Sequence, residues 1–149
     1  SNNNWVVFHS IDIAPFSGQQ YRIRRREIDF VAVIPEIGIL CIEVKSHRNI
    51  TFDGFCWRPD SIKTSPFSQS SGASATFFKA LKNHWPEAKK IPVVSCFVFP
   101  NANFELMQNI QVHNCELMDA RTYRSLNDAD AFTQKLKEMA TASITNASN

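Results

Sequence analysis

Hydrophobic and polar positions alternate most regularly between Glu27 and Lys45, EIDFVAVIPEIGILCIEVK. Two period-2 runs stand here, Glu27 to Ile34 and Ile39 to Lys45, separated by Pro35 and Gly38. Rich in Val, Ile and Phe, they predict two strands folded back as a hairpin. A three-residue loop Glu36-Ile37-Gly38, with Gly38 left-handed, sets Pro35 opposite Ile39, Val31 opposite Glu43 and Asp29 opposite Lys45. In that register Phe30, Ala32, Ile34, Leu40, Ile42 and Val44 share one apolar face. Asp29, Glu43 and Lys45 share the other. A slip of one residue would separate them.

The flanking pattern extends this to a full domain. Trp5 to Ile11 predicts a strand, and Asp12 to Gln20 a loop with Pro15 and Gly18. Ile50-Thr51-Phe52 and Phe55-Cys56-Trp57 flank Asp53-Gly54, a second hairpin, with Trp57 a core or edge aromatic. Ser65-Pro66 predicts a helix start, with Ser65 as cap and the helix running to about His84, buried through Phe77, Phe78, Leu81 and Trp85. The unbroken apolar run Pro92 to Phe99 predicts a strand buried on both faces beside the first hairpin. A further strand is expected within Asn109 to Leu117. A short helix follows from Asp119 or Ala120 to Ser125. The last helix, capped by Asn127, is expected over Ala129 to about Ala140 with Phe132, Leu136 and Met139 on one stripe. Together these predict an α/β domain with a mixed sheet over residues 1–140. Residues 141–149 are expected to be a polar tail or a linker to a downstream domain.

Composition narrows the class. The chain has 149 residues, enough for one core, and 44% hydrophobic residues, too many for a disordered chain. Twelve Phe make that core aromatic. No apolar run has the length of a membrane span. A net charge of +2 neither requires nor excludes nucleic acid. With four Gly and no phosphate-cradling glycine loop, a P-loop nucleotide site is excluded. Cys41, Cys56, Cys96 and Cys115 contain no CxxC pair. They are expected to be reduced thiols of a cytoplasmic protein, with Cys41, Cys96 and Cys115 buried in strands. His9, in mid-strand, is expected to be packed or hydrogen-bonded and not a ligand.

The candidate chemistry lies on the hairpin. Glu43 and Lys45, two apart on a strand, point the same way with roughly 7 Å between Cα atoms. With Asp29 they would form two carboxylates and an ammonium around one point. Carboxylate oxygens suit a hard cation such as Mg²⁺, which acidifies water and stabilises charge on an attacked phosphate. Lysine can orient or deprotonate that water. Spacing alone serves equally well for a surface ion pair with Asp29 solvated. Arg22, Arg24, Arg25 and Arg26 precede the hairpin and suit phosphate contacts, or form a solvated basic face.

The set Asp29…Glu43-Val44-Lys45 resembles the D…(E/D)xK signature of the PD-(D/E)xK, restriction-endonuclease-like nucleases. More narrowly, Glu27-Ile28-Asp29, Gly38, Ile42-Glu43-Val44-Lys45-Ser46, Trp57 and Pro66-Phe67-Ser68-Gln69 resemble the nuclease-related domain, NERD. That match spans Trp5 to about Leu81. The Phe99-Pro100 strand end is similar to such domains fused ahead of superfamily 1 DNA helicases. The resemblance implies a restriction-endonuclease-like sheet flanked by helices. Asp29, Glu43 and the Val44 carbonyl would hold Mg²⁺ or Mn²⁺, Lys45 would activate water, and Gln69 would position water or phosphate. Glu27 would hold an arginine or the lysine in place, or add to the metal site. Hydrolysis would leave a 3′-hydroxyl. Such domains usually place a helix before the first strand, which can add an acid near the metal; either the sequence starts after that helix or the extra acid is not used.

The leading expectation is metal-dependent DNA phosphodiester hydrolysis in a helicase-linked, DNA-repair setting. The alternatives are a catalytically inactive nucleic-acid-binding accessory domain and a protein-interaction module using its strand edges.

Overall fold

The computed structural model describes residues 4–13, 26–52, 56–59, 61–62, 65–103 and 114–148. Strands β1 (Val6–Ile13), β2 (Arg26–Ile34) and β3 (Gly38–Val44) form an antiparallel meander. A small hairpin, β4 (Thr51–Phe52) and β5 (Trp57–Arg58), forms a separate two-stranded sheet. Helix α1 (Pro66–His84) then crosses back and delivers β6 (Val93–Val98) parallel to β3. Strand β7 (Leu117–Met118) adds parallel to β6, and helices α2 (Ala120–Ser125) and α3 (Ala129–Ala147) follow. The main sheet has the order β1-β2-β3-β6-β7. It is therefore the expected mixed sheet of an α/β domain, flanked by helices on both faces.

Both faces carry apolar cover because the central strands are apolar on both sides. On one face α1 packs Ala73, Phe77 and Leu81 against Ile28, Val31, Ile39 and Cys41. On the other, α3 packs Leu136, Met139 and Ala140 against Ala32, Ile34, Leu40, Ile42, Cys96, Val98 and Met118. A third cluster joins the start of α1 to the end of β6: Phe67, Phe97 and Phe99 with Ile50, Ala102 and Trp57. Phe67 meets Phe97 edge-on at 5.0 Å and Trp57 at 5.5 Å between ring centroids. Such aromatic pairs contribute about 0.5–1.5 kcal/mol beyond burial.

The hairpin register differs from the sequence expectation. Ile34 pairs with Gly38 and Val31 with Cys41, not with Glu43. The loop is Pro35-Glu36-Ile37, closed by Ile37 N–H donating to the Ile34 carbonyl at 3.1 Å. Pro35 and Glu36 occupy the centre of this turn, and Glu36 takes the positive φ of 67°, as the third position of a type II turn requires. The slip is two residues, so the residues that pair, Phe30 to Ile34 and Gly38 to Ile42, keep their faces. Gly38 instead serves strand packing. Its φ is 151°, and an added Cβ would stand 2.5 Å from the Pro92 carbonyl oxygen, which accepts from Ile39 N–H at 2.9 Å.

The α1 boundaries match the sequence reading. Ser65 Oγ accepts from Phe67 N–H at 3.2 Å, and the helix ends at His84. The last helix differs at both ends. Asp128, not Asn127, caps it, accepting from Ala131 N–H at 2.8 Å. It continues past Ala140 to Ala147, with Ser143 buried. Within it the Thr141 and Thr145 hydroxyls donate back to the Lys137 and Thr141 carbonyls. Cys115 lies in a 3-10 turn, not a strand. Asp53-Gly54, the loop arginines and most of Asn109 to Leu117 lie outside the described residues. No disulfide joins the four cysteines, and among the described residues no helix is long and apolar enough to cross a membrane.

Replacing Gly38 by Ala should destabilise the domain by about 2–4 kcal/mol, combining backbone strain with a backbone clash. Urea unfolding followed by far-UV circular dichroism checks this; a loss below about 1 kcal/mol would show that Pro92 moves aside freely.

Candidate active site

The site begins where the β2–β3 ladder stops. Pairing runs from Ile34↔Gly38 to Phe30↔Ile42. At the next step the Val44 N–H donates to Asp29 Oδ2 at 2.8 Å. A side chain takes the place of a main-chain carbonyl, and β2 departs from β3. On the other side of β2, pairing with β1 is interrupted between His9↔Phe30 and Ile11↔Ile28. The residue facing this gap, Ser10, has φ 52°. Ile28 and Val31, three apart, consequently pack on the same α1 face. The irregularity is centred on Asp29.

Glu43 lies across from this break. It is 5% exposed, one of two buried polar or charged residues among those described. Its neighbours explain the burial. Glu43 pairs with Phe97 of β6, and Phe97 carries the Phe67 ring from the start of α1. Burial and the charge of Asp29 push the Glu43 carboxyl up to about 7, while the charge of Lys45 acts the other way. Asp29 and Lys45 are thus both close enough to Glu43 to move its proton. Electrostatics therefore link the three side chains.

Glu43 Oε1 is buried with no hydrogen-bond partner among the described residues. An unsatisfied buried carboxylate oxygen costs stability unless it is protonated or meets a cation. Two adjacent carboxylates and hard oxygen donors match a divalent cation of the Mg²⁺ or Mn²⁺ type. Asp29, Glu43 and the main-chain carbonyl of Val44 are the groups that could hold it. Among the described residues no group of three or more His, Cys, Asp or Glu side chains converges. Such a cation would therefore rest on two carboxylates, main-chain oxygen and water.

Lys45 follows β3 directly, half-buried, with its N–H donating to the Val98 carbonyl at 2.9 Å. The β6 strand therefore fixes its backbone. Gln69 lies in the first turns of α1. The β3-α1-β6 crossover returns antiparallel to β3, so the start of α1 stands at the Glu43 end of the sheet, as the Phe67–Phe97 contact shows. The Gln69 side chain lies outside the described residues, as do Arg22, Arg24, Arg25 and the side chain of Arg26. Glu27 is exposed, across from Asp12. The inward turn of Ile28 points Glu27 away from the α1 face, and it is not among the groups that shift Glu43. Its expected place on the face of Asp29 is therefore lost at the break. His9 is exposed on β1, not packed.

Two features escaped sequence reasoning. Behind Glu43, the Cys41 thiol bonds to Ser74, and Ser95 Oγ donates to Ser74 Oγ at 2.8 Å. These contacts pin α1 to β3 and β6. Burial pushes the Cys41 thiol up to about 11, which leaves it unreactive. His47 also escaped; its Nδ1 is buried with no hydrogen-bond partner among the described residues, and its ring centroid is 6.3 Å from that of Phe99. Only the two-residue spacing from Lys45 could have flagged it.

The model of the nuclease-related domain, NERD, matches residues 1–100. The chain belongs to the nuclease-related domain family. The NERD match covers β1 through β6 and so includes Asp29, Glu43, Lys45 and Gln69. Strand β7, α2 and α3 lie beyond it. No match was found among curated proteins. Membership carries a nuclease-related function.

The raised Glu43 pKa has a direct consequence for stability. The folded state holds this proton more tightly than the unfolded chain. The contribution is complete below about pH 4.5 and is lost as pH rises through about 7. Glu43→Gln should therefore raise the metal-free melting temperature at pH 8 by several degrees, and by much less at pH 5. A gain equal at both pH values would place the Glu43 carboxyl in an ordinary aqueous setting.

Proposed function

We propose that this domain is a divalent-metal-dependent phosphodiesterase acting on DNA. The observation that carries the reading is the buried, unpartnered Glu43 carboxylate oxygen beside Asp29. A carboxyl pushed up to about 7 by burial and, after it, by a second carboxylate is poor design for an ion pair. It suits a group that acquires a cation in use. When bound, Mg²⁺ or Mn²⁺ would supply an acidified water and charge neutralisation at the phosphate.

The remaining roles belong to the chain. Asp29, held by the Val44 amide, stands beside Glu43 as the second carboxylate. Lys45 orients the attacking water and offsets charge accumulating on the phosphate oxygens. Gln69 positions water or a nonbridging oxygen through its amide. Arg24, Arg25 and Arg26 hold the flanking phosphates. The burial supplied by Phe97 and Phe67 excludes bulk water, which strengthens each of these interactions. Helicase-linked DNA processing is the setting that the resemblance implies.

The test is cleavage of duplex, nicked and single-stranded DNA with Mg²⁺ or Mn²⁺. Glu43→Ala and Lys45→Ala should each lower the rate by about a hundredfold or more, with chelation abolishing it. Metal-independent cleavage, or activity surviving both substitutions, would overturn the assignment. Salt-sensitive binding without cleavage would support the accessory-domain reading instead. Replacing Arg24, Arg25 and Arg26 together by Ala should weaken binding on all DNA sequences alike and reduce the salt dependence by about three phosphate contacts.

A further inference from the structure

Among the described residues, two buried side-chain polar atoms have no hydrogen-bond partner, Glu43 Oε1 and His47 Nδ1. The first belongs to the carboxylate pair. The second lies on the same wall. Glu43 pairs with Phe97, and the Phe67 ring stands 5.0 Å from Phe97 and 6.0 Å from Phe99 between centroids. The His47 ring lies 6.3 Å from Phe99, tilted by 38°. One aromatic cluster therefore runs from Glu43 to His47. The chain between them limits their Cα atoms to a separation of at most about 14 Å.

The segment that carries His47 is fixed at both ends. The Lys45 N–H donates to the Val98 carbonyl at 2.9 Å, and Ile50 is buried in the aromatic cluster. Between them Ser46, Arg48 and Asn49 are exposed and His47 is half-buried. A neutral imidazole has one N–H and one bare nitrogen. An N–H on Nδ1 would be a stranded donor in apolar surroundings, so the ring proton is assigned to Nε2. Nε2 is not among the buried unpartnered atoms, which leaves it as a donor at the surface. The stretch Lys45-Ser46-His47-Arg48-Asn49 holds two cations and no acid, so the group it suits is an anion.

We propose that His47 is a substrate-binding residue whose Nε2–H holds a phosphate flanking the one at the Asp29–Glu43 site. The inference rests on the phosphodiesterase reading and adds a second phosphate position to it. The separation from Glu43 spans a nucleotide or two of an extended strand, so both phosphates can be held at once. The contact is a hydrogen bond to a charged acceptor from a donor that carries no charge itself. It releases no counterion, so it adds affinity without adding salt dependence, whereas a contact from an arginine would add both. The same role explains why an aromatic cluster keeps a ring with an unpaired nitrogen. A phenylalanine would pack there without stranding a polar atom. The imidazole gives up that stability and keeps a fixed donor facing the strand.

The experiment follows cleavage of one DNA sequence, single-stranded or duplex, whichever wild type cuts faster, with Mg²⁺ or Mn²⁺ over a series of salt concentrations. His47→Phe and His47→Gln are compared with wild type in kcat, KM and melting temperature. His47→Phe should raise KM about tenfold and leave kcat within about twofold. The slope of log KM against log salt should keep its wild-type value. His47→Gln, which restores an N–H, should recover most of the KM. The melting temperature of His47→Phe should match or exceed that of wild type, because the stranded nitrogen is gone. A ring that only supports the fold would lower melting temperature and kcat together. That result, an unchanged KM, a shallower salt slope in His47→Phe, or no recovery by His47→Gln would overturn the flanking-phosphate contact alone. Failure of wild type to cut DNA of either form with either metal would instead overturn the phosphodiesterase reading, and this inference with it.

Discussion

The structure turns on one hydrogen bond, from the Val44 main chain to the Asp29 carboxylate. In an uninterrupted antiparallel pair that amide would meet a carbonyl of β2. By taking the carbonyl's place, Asp29 ends the ladder at Phe30, lets β2 turn Ile28 onto the α1 side, and brings its own charge against Glu43. A hydrogen bond to a charged acceptor is worth more than a neutral one, which offsets the lost main-chain pairing.

Around that bond the fold creates an electrostatic conflict and does not resolve it. Strand β6 and the start of α1 bury Glu43, and Asp29 adds repulsion. Lys45 offsets only part of this, since the net effect on the carboxyl is still strongly upward. A chain selected only for stability would place an apolar or amide side chain there. The arrangement exchanges stability for a preformed, water-poor donor pair. Such an exchange belongs to a working site more than to a structural ion pair.

Much of this was legible in the residues. Strict alternation in both hairpin strands fixed which side chains share a face, and among the paired residues that conclusion survived a register error of two because strand periodicity is itself two. Ser65-Pro66 marked the start of α1 because cap and first-turn chemistry are local. The unbroken apolar run of β6 marked a strand covered on both faces. What was not legible depended on distant partners. The turn position followed Pro35 and the need for Gly38 beside Pro92, a contact between segments far apart in sequence. The full length of α3 depended on Ser143 finding a buried place. The outward turn of Glu27 followed from the break at Asp29, which no spacing rule announces.

The parallel pairing of β3 with β6 carries a kinetic corollary. Glu43 and Phe97 are neighbours in space but lie on either side of the whole β4–β5 hairpin and α1. The β2–β3 hairpin can close through a three-residue turn, whereas the β6 wall arrives only after a long crossover has paid its closure entropy. During synthesis or refolding, the acid therefore remains hydrated and ordinary until the last central strand docks. Its unusual chemistry is a property of the finished tertiary structure and of no smaller piece of it.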